Sequence, residues 1–286
     1  MRLLVLAMAF TSTACAIDLQ GHRGARGHAP ENTLPGFERA LAIGVTTLEL
    51  DVGITRDGVV VIHHDRGLNP DVARGPDGQW ISLPGPLIKD VSFEQLQRFD
   101  VGRIRPGSEY ARRFPHQRPV DGTRIPRLAD LFAQAGPAVR FNIETKSTAE
   151  APNDTLPPEP FARALIAEIR KAGVEQRTTI QSFDWRTLKV VEQEAPAIAT
   201  AYLTGSKNAD PQKVHAAGGR IWSPDFQTLT NENMQTARSI GLKVIPWTVN
   251  ERSDISRMLE LKVDGIISDY PDRVREVLQR RGLLPL

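Results

Sequence analysis

Residues 45–65 read VTTLELDVGITRDGVVVIHHD. Val45 to Val52 has strand composition, interrupted only by the acids Glu49 and Asp51. Thr55-Arg56-Asp57-Gly58 carries the Asp-Gly signal of a hairpin turn, and Val59 to His64 is a strong β run returning from it. Residues two apart on a strand point the same way, so Glu49 and Asp51 share a face. A turn at about 56–57 sets residue 64 opposite residue 49 or its neighbour. The hairpin therefore brings a histidine back beside two acids.

Working outward, strands and helices alternate. Ile17 to His22 reads as a short strand entering a Gly-rich turn. Asn32 is expected to cap a helix running through Ala42, with Gly44 just past its end. Downstream, strands are predicted at 139–144, 178–183, 198–203, 220–223, 243–249 and 265–268. Helices are predicted at 127–134, 161–172, 185–194, 211–217, 231–240, 252–261 and 271–281. With Val59–His64 taken as the outer arm of a hairpin, eight strands alternate with eight helices. That is the pattern of a parallel (β/α)₈ TIM barrel. Residues 66–125 lack such periodicity and are rich in Pro, Gly and Arg. They read as a small insertion after the hairpin, anchored by Trp80, Phe93, Leu96 and Phe99.

The chain has 286 residues, a length typical of one such barrel. Lys and Arg number 36 against 34 Asp and Glu, a net charge of +2 that marks no dedicated nucleic-acid binder. One cysteine, Cys15, excludes a disulfide framework and a thiolate zinc cluster. The opening MRLLVLAMAFTSTACA, residues 1–16, has a basic start, eight apolar residues and a small-residue end. It reads as a cleaved signal peptide, leaving residues 17–286 as the barrel domain in a periplasmic or secreted protein. A lipoprotein anchored at Cys15 is the alternative. The apolar run is too short to span a bilayer, which takes about 20 residues.

In such barrels the reactive groups sit at the C-terminal ends of the strands. Reading those ends gives His22-Arg23, Glu49 and Asp51, Glu144 and Lys146, Gln181-Ser182-Phe183, Ser223, Trp247 and Ser268-Asp269. Three carboxylates (Glu49, Asp51 and Glu144) repel one another unless a cation lies between them. With no thiol present, they suit one hard divalent cation, Mg²⁺ or Ca²⁺. Arg23 and Lys146 beside that cluster point to an anionic substrate, most simply a phosphate, or else to ion pairs with the acids. His22 and His64 are the natural proton carriers, since only histidine titrates near neutrality unperturbed. His63 alternates with His64 and should face away. His28, His116 and His215 read as packing or surface residues.

These residues lie in an ordered series that resembles the glycerophosphodiester phosphodiesterase family over about residues 19–280. The matching pieces include His22-Arg23-Gly24, Pro30-Glu31-Asn32-Thr33, Glu49-x-Asp51, Asp57-Gly58, His64-Asp65, Ile143-Glu144-x-Lys146, Gln181-Ser182-Phe183, Trp247-Thr248-Val249-Asn250 and Asp264-Gly265-Ile266-Ile267-Ser268-Asp269. The departures are His63 ahead of the His-Asp pair and the segment Gly67-Leu68-Asn69-Pro70 after it, which bear on the choice of head group.

The resemblance implies a barrel with an insertion after His64-Asp65. It implies that Glu49, Asp51 and Glu144 hold one divalent cation, and that His22 and His64 form the acid–base pair. Arg23 and Lys146 would contact the phosphate, and Phe183 and Trp247 would line the alcohol or glycerol pocket. The expected reaction is metal-assisted hydrolysis of a small glycerophosphodiester to glycerol 3-phosphate and an alcohol, with no protein partner implied. Two alternatives stand beside it: a phospholipase D-like enzyme acting on lysolipids with cyclic phosphate products, and a non-catalytic glycerophosphodiester-binding protein.

Overall fold

The computed structural model describes residues 17–284. The signal peptide expected at 1–16, and Cys15 with it, lies outside the described residues. In chain order the elements are β1 (Asp18–Gly21), α1 (Leu34–Ile43), β2 (Thr47–Ile54), β3 (Val60–Ile62), α2 (Phe93–Leu96), α3 (Glu109–Arg113), α4 (Leu128–Gln134), β4 (Arg140–Thr145), α5 (Pro158–Ala172), β5 (Thr178–Ser182), α6 (Trp185–Glu194), β6 (Ala199–Thr204), α7 (Pro211–Ala216), β7 (Ile221–Pro224), α8 (Asn231–Ser239), β8 (Lys243–Val244), α9 (Arg252–Glu260), β9 (Gly265–Ser268) and α10 (Pro271–Arg280).

Eight of the strands are parallel neighbours in the order β8-β7-β6-β5-β4-β2-β1-β9, and β3 pairs antiparallel with β2 outside that path. The two ends of this sheet meet. Asp264 N donates to Val244 O (2.9 Å), Ile267 N to Pro246 O (3.0 Å) and Val249 N to Ile267 O (2.9 Å). The result is a nearly closed (β/α)₈ barrel, as the alternation of the sequence predicts.

Strand alternation divides the two faces. Leu48, Leu50 and Val52 of β2, and Phe141 and Ile143 of β4, join the apolar layer under the helices. Thr47, Glu49 and Asp51, with Asn142 and Glu144 in register on β4, fill the inner face instead. An apolar layer beneath helices is the ordinary way a parallel sheet is covered. The polar inner layer is what equips this barrel for chemistry.

Three elements differ from expectation. The strand expected over 243–249 is regular only at Lys243–Val244, because Pro246 has no N–H to give to a ladder. Helix α5 starts at Pro158 rather than 161, with proline in its first turn, where a missing N–H costs nothing. The cap of α1 is Thr33, whose side chain accepts from Gly36 N, not Asn32. Asn32 is thereby released for the site.

Residues 66–125 fold over the β2–β3 hairpin around a second apolar cluster that includes Val61, Leu68, Ile88, Leu96 and Ile125. Of the expected anchors, Leu96 is buried there and Phe93 and Phe99 pack against it. Trp80 is half-buried beneath the Arg74 guanidinium, 5.7 Å from its ring centroid.

Candidate active site

Asp51 and Glu144 are direct cross-strand partners, and Glu49 pairs with Asn142 one step below. One oxygen from each of Glu49, Asp51 and Glu144 lies within 4.8 Å of the others, and all three residues are buried. Burial and the Asp51 charge push Glu49 well above the usual carboxylate range. Burial, and again Asp51, raise Glu144. Burial opposes ionisation of Asp51 too, but Lys146, His64 and Arg23 together hold it well below its ordinary value. Asp51 Oδ1 is buried and accepts no hydrogen bond, although Lys146 Nζ stands 3.4 Å away. A buried carboxylate oxygen that accepts no hydrogen bond, on a residue clustered with two further carboxylates, fits a divalent cation.

The other Asp51 oxygen and both Glu49 oxygens are committed. Asn32 Nδ2 donates to Asp51 Oδ2 at 2.9 Å, Gln181 Nε2 to Glu49 Oε1 at 2.8 Å and the Arg23 backbone N–H to Glu49 Oε2 at 2.8 Å. Gly24 makes that last contact possible. Its φ is +88°, and a Cβ there would fall 2.7 Å from the Gly36 backbone, so only glycine permits the tight turn after β1.

His22 follows β1 directly. Its Nδ1 lies 2.6 Å from Asp269 Oδ1, while Nε2 is 3.9 Å from Glu49 Oε2. Burial, reinforced by the Arg26 guanidinium, lowers the His22 pKa to about 4. The imidazole is therefore neutral at pH 7, and a carboxylate partner assigns the proton to Nδ1 and the lone pair to Nε2.

The hairpin register pairs Val52 with Ile62 and Gly53 with Val61. His63 N then donates to Asp51 O, which sets His64 level with Leu50, next to Glu49, as expected. His64 Nδ1 lies 2.7 Å from Asp65 Oδ1, and Asn69 Nδ2 binds the other Asp65 oxygen at 2.7 Å. Burial and Arg23 lower the His64 pKa. His63 is buried against the insertion, its Nε2 3.3 Å from Gly67 O. His28 bonds Asp272 at 2.7 Å.

Both expected phosphate ligands are held by acids. Arg23 reaches Glu31 (2.8 Å) and Asp51 (3.3 Å), and Lys146 reaches Glu144 (2.7 Å). Arg23 Nε is nonetheless buried without a hydrogen-bond acceptor. Arg23 and Lys146, with His22, His64, Glu49 and Glu144, line a cavity of about 420 Å³, with Phe183 and Trp247 on its wall. The two rings meet edge to face at 5.4 Å, and Phe183 is 47% exposed.

By sequence, Asp269 falls at a strand end with no sign of its task. It accepts from Arg26 Nε (2.8 Å) and Asn250 Nδ2 (2.8 Å) as well as facing His22. Arg26, Glu31 and Tyr110 join the site without a strand-end pattern that marks them. Tyr110, from the insertion, donates its hydroxyl proton to Glu31. No periodicity signals such a contact, because it joins the short helix α3 to a loop 79 residues away.

Fold and site together define a barrel enzyme with a carboxylate centre fit for a divalent cation. The chain belongs to the glycerophosphoryl diester phosphodiesterase family, whose model matches residues 22–273. It is 31% identical over 264 residues to a glycerophosphodiester phosphodiesterase of Caldanaerobacter subterraneus subsp. tengcongensis, covering 91% of this chain and 97% of that one. A crystal structure from Silicibacter pomeroyi, provisionally assigned as a glycerophosphoryl diester phosphodiesterase, has a TM-score of 0.86 at 36% identity, covering 94% of this chain and 95% of that one. A phosphodiesterase of Oleispira antarctica, solved with its product sn-glycerol-3-phosphate, shares the fold with a TM-score of 0.72 at 21% identity, over 92% of this chain and 97% of its own.

Proposed function

We propose that the protein hydrolyses glycerophosphodiesters to glycerol 3-phosphate and an alcohol, using one divalent cation, Mg²⁺ or Ca²⁺, and two histidines. The observation that carries this reading is the buried Glu49–Asp51–Glu144 cluster, with an Asp51 oxygen that accepts no hydrogen bond, whose Glu49 and Glu144 line one cavity with His22 and His64.

Glu49, Asp51 and Glu144 would hold the cation. Bound there, it supplies Lewis-acid neutralisation of the phosphate charge. Arg23 and Lys146 add positive charge on the same wall and orient the phosphate oxygens. One histidine takes the proton of the attacking oxygen, and the other gives a proton to the departing alkoxide. Asp269 and Asp65 fix the two imidazoles through their Nδ1 atoms, so each presents Nε2 to the reaction. Phe183 and Trp247 pack against the carbon skeleton of the glycerol.

Lysolipids would require an apolar rim. Within the described insertion only Leu83 and Val120 are exposed large hydrophobics, which favours small soluble diesters. The test is glycerol 3-phosphate release from glycerophosphoglycerol by the purified protein. His22→Ala and His64→Ala should each remove at least about 10²-fold of it. Undiminished release by both variants would contradict the proposal.

A further inference from the structure

Three of the cations lining the cavity are committed to acids: Arg23 to Glu31, Arg26 to Asp269 and Lys146 to Glu144. The fourth, Arg113 at the end of α3, lines the same cavity. It is exposed and has no acid partner among the described residues. It is nevertheless held in place. Its guanidinium carbon stands 5.8 Å from the Tyr110 ring centroid and 5.7 Å from that of Phe114, and aromatic faces retain a guanidinium without neutralising it. That platform is itself anchored. Tyr110 and Phe114 pack edge to face at 5.1 Å, Tyr110 bonds Glu31, and Arg26 lies 4.6 Å over the Phe114 ring.

The surrounding segment repeats the sign. Residues 103–118 carry five arginines and one acid, Glu109. The cavity's acid outside the cation cluster, Asp65, spends its oxygens on His64 and Asn69. A phosphodiester leaves two arms on either side of phosphorus. The cavity offers an uncharged aromatic wall from Phe183 and Trp247 and a cationic wall from the insertion.

We infer that Arg113 is a specificity-determining residue that receives the alcohol arm and favours head groups bearing an anion, a phosphorylated or carboxylated alcohol, over quaternary ammonium head groups. This rests on the proposed phosphodiesterase activity. A charge-assisted hydrogen bond to such an anion is worth enough to separate two otherwise equal head groups by about ten-fold or more.

The test compares kcat/KM for glycerophosphoinositol 4-phosphate, glycerophosphoinositol and glycerophosphocholine, in the wild type, Arg113→Gln and Arg112→Gln. Arg112 carries the same charge one residue away, with its Nη1 on Gly107 O. In the wild type the phosphorylated inositol diester should exceed its unphosphorylated twin by about ten-fold, mostly through KM. Glycerophosphocholine should be the poorest of the three. Arg113→Gln should collapse that ratio to about two-fold or less, while Arg112→Gln should keep most of it. Turnover of all three with a ratio that Arg113→Gln leaves unchanged would overturn this inference alone. No turnover of any of them would overturn the proposed activity, and this inference with it.

Discussion

His22 Nδ1 and Asp269 Oδ1 approach to 2.6 Å across 247 residues of sequence, joining the ends of the first and last strands of the barrel. Strands β1 and β9 are hydrogen-bonded neighbours, with Gly21 paired to Ser268, so the residue after each strand meets the residue after the other. Arg26 and Asn250 hold the same carboxylate from its other sides. The imidazole is thus fixed in ring orientation and tautomer before any substrate arrives.

Asp269→Asn should keep the fold, since an amide can still bond Asn250 and face the ring. Turnover should fall about 10–10²-fold as the imidazole loses its orienting carboxylate. Steady-state kinetics beside a thermal melt separate the two effects. A melt unchanged and a kcat unchanged together would deny Asp269 its positioning role.

The two adjacent histidines are expected to behave differently. His64→Ala should cost at least about 10²-fold in kcat. His63→Ala should leave kcat within a few-fold and instead lower stability by about 1–3 kcal/mol, because a buried side chain and its part-buried hydrogen bond to Gly67 O are lost. Denaturant titration and kinetics on both variants decide the assignment. A severe kinetic loss at His63 with a mild one at His64 would mean that the roles are reversed.

Asp51→Asn retains shape but removes the charge and an oxygen without a hydrogen bond, the features that suit Asp51 to the proposed cation. Calorimetric titration with Mg²⁺ and Ca²⁺ should show binding in the wild type and none in this variant at comparable concentrations. Equal affinity in both proteins would place the cation elsewhere.

Gln181 is joined through Asn142 to Gln20 inside the barrel, by bonds of 3.0 and 2.8 Å, and its amide fixes Glu49. Groups that orient a metal ligand typically carry a 10–100-fold share of affinity. Gln181→Leu should therefore weaken divalent-cation binding by about that factor while the protein remains folded by circular dichroism. Unaltered affinity would show that Glu49 needs no such support.

Much of the barrel was legible because apolar periodicity and Gly-punctuated turns are local signals. The cluster of Glu49, Asp51 and Glu144 followed from strand ends and the alternation of side chains. His64 followed from counting across one hairpin. What escaped was long-range. Asp269 and Arg26 act on His22 through a junction that only the closed ring creates. Asn32 looked like a cap, but Thr33 caps α1 and the Asn32 amide turns to Asp51. Tyr110 and Arg113 sit on a five-residue helix inside an aperiodic insertion, where no pattern announces which side chains reach the cavity.

This cavity is proposed to cleave glycerophosphodiesters with the help of a bound divalent cation. Phosphorus-31 NMR of glycerophosphoglycerol incubated with the purified protein tests it most directly, in Mg²⁺, in Ca²⁺ and after dialysis into excess chelator. Glycerol 3-phosphate should appear with at least one of the two ions and vanish in chelator, returning when the ion is restored. Absence of glycerol 3-phosphate under every condition, or its undiminished release in chelator, would contradict the account.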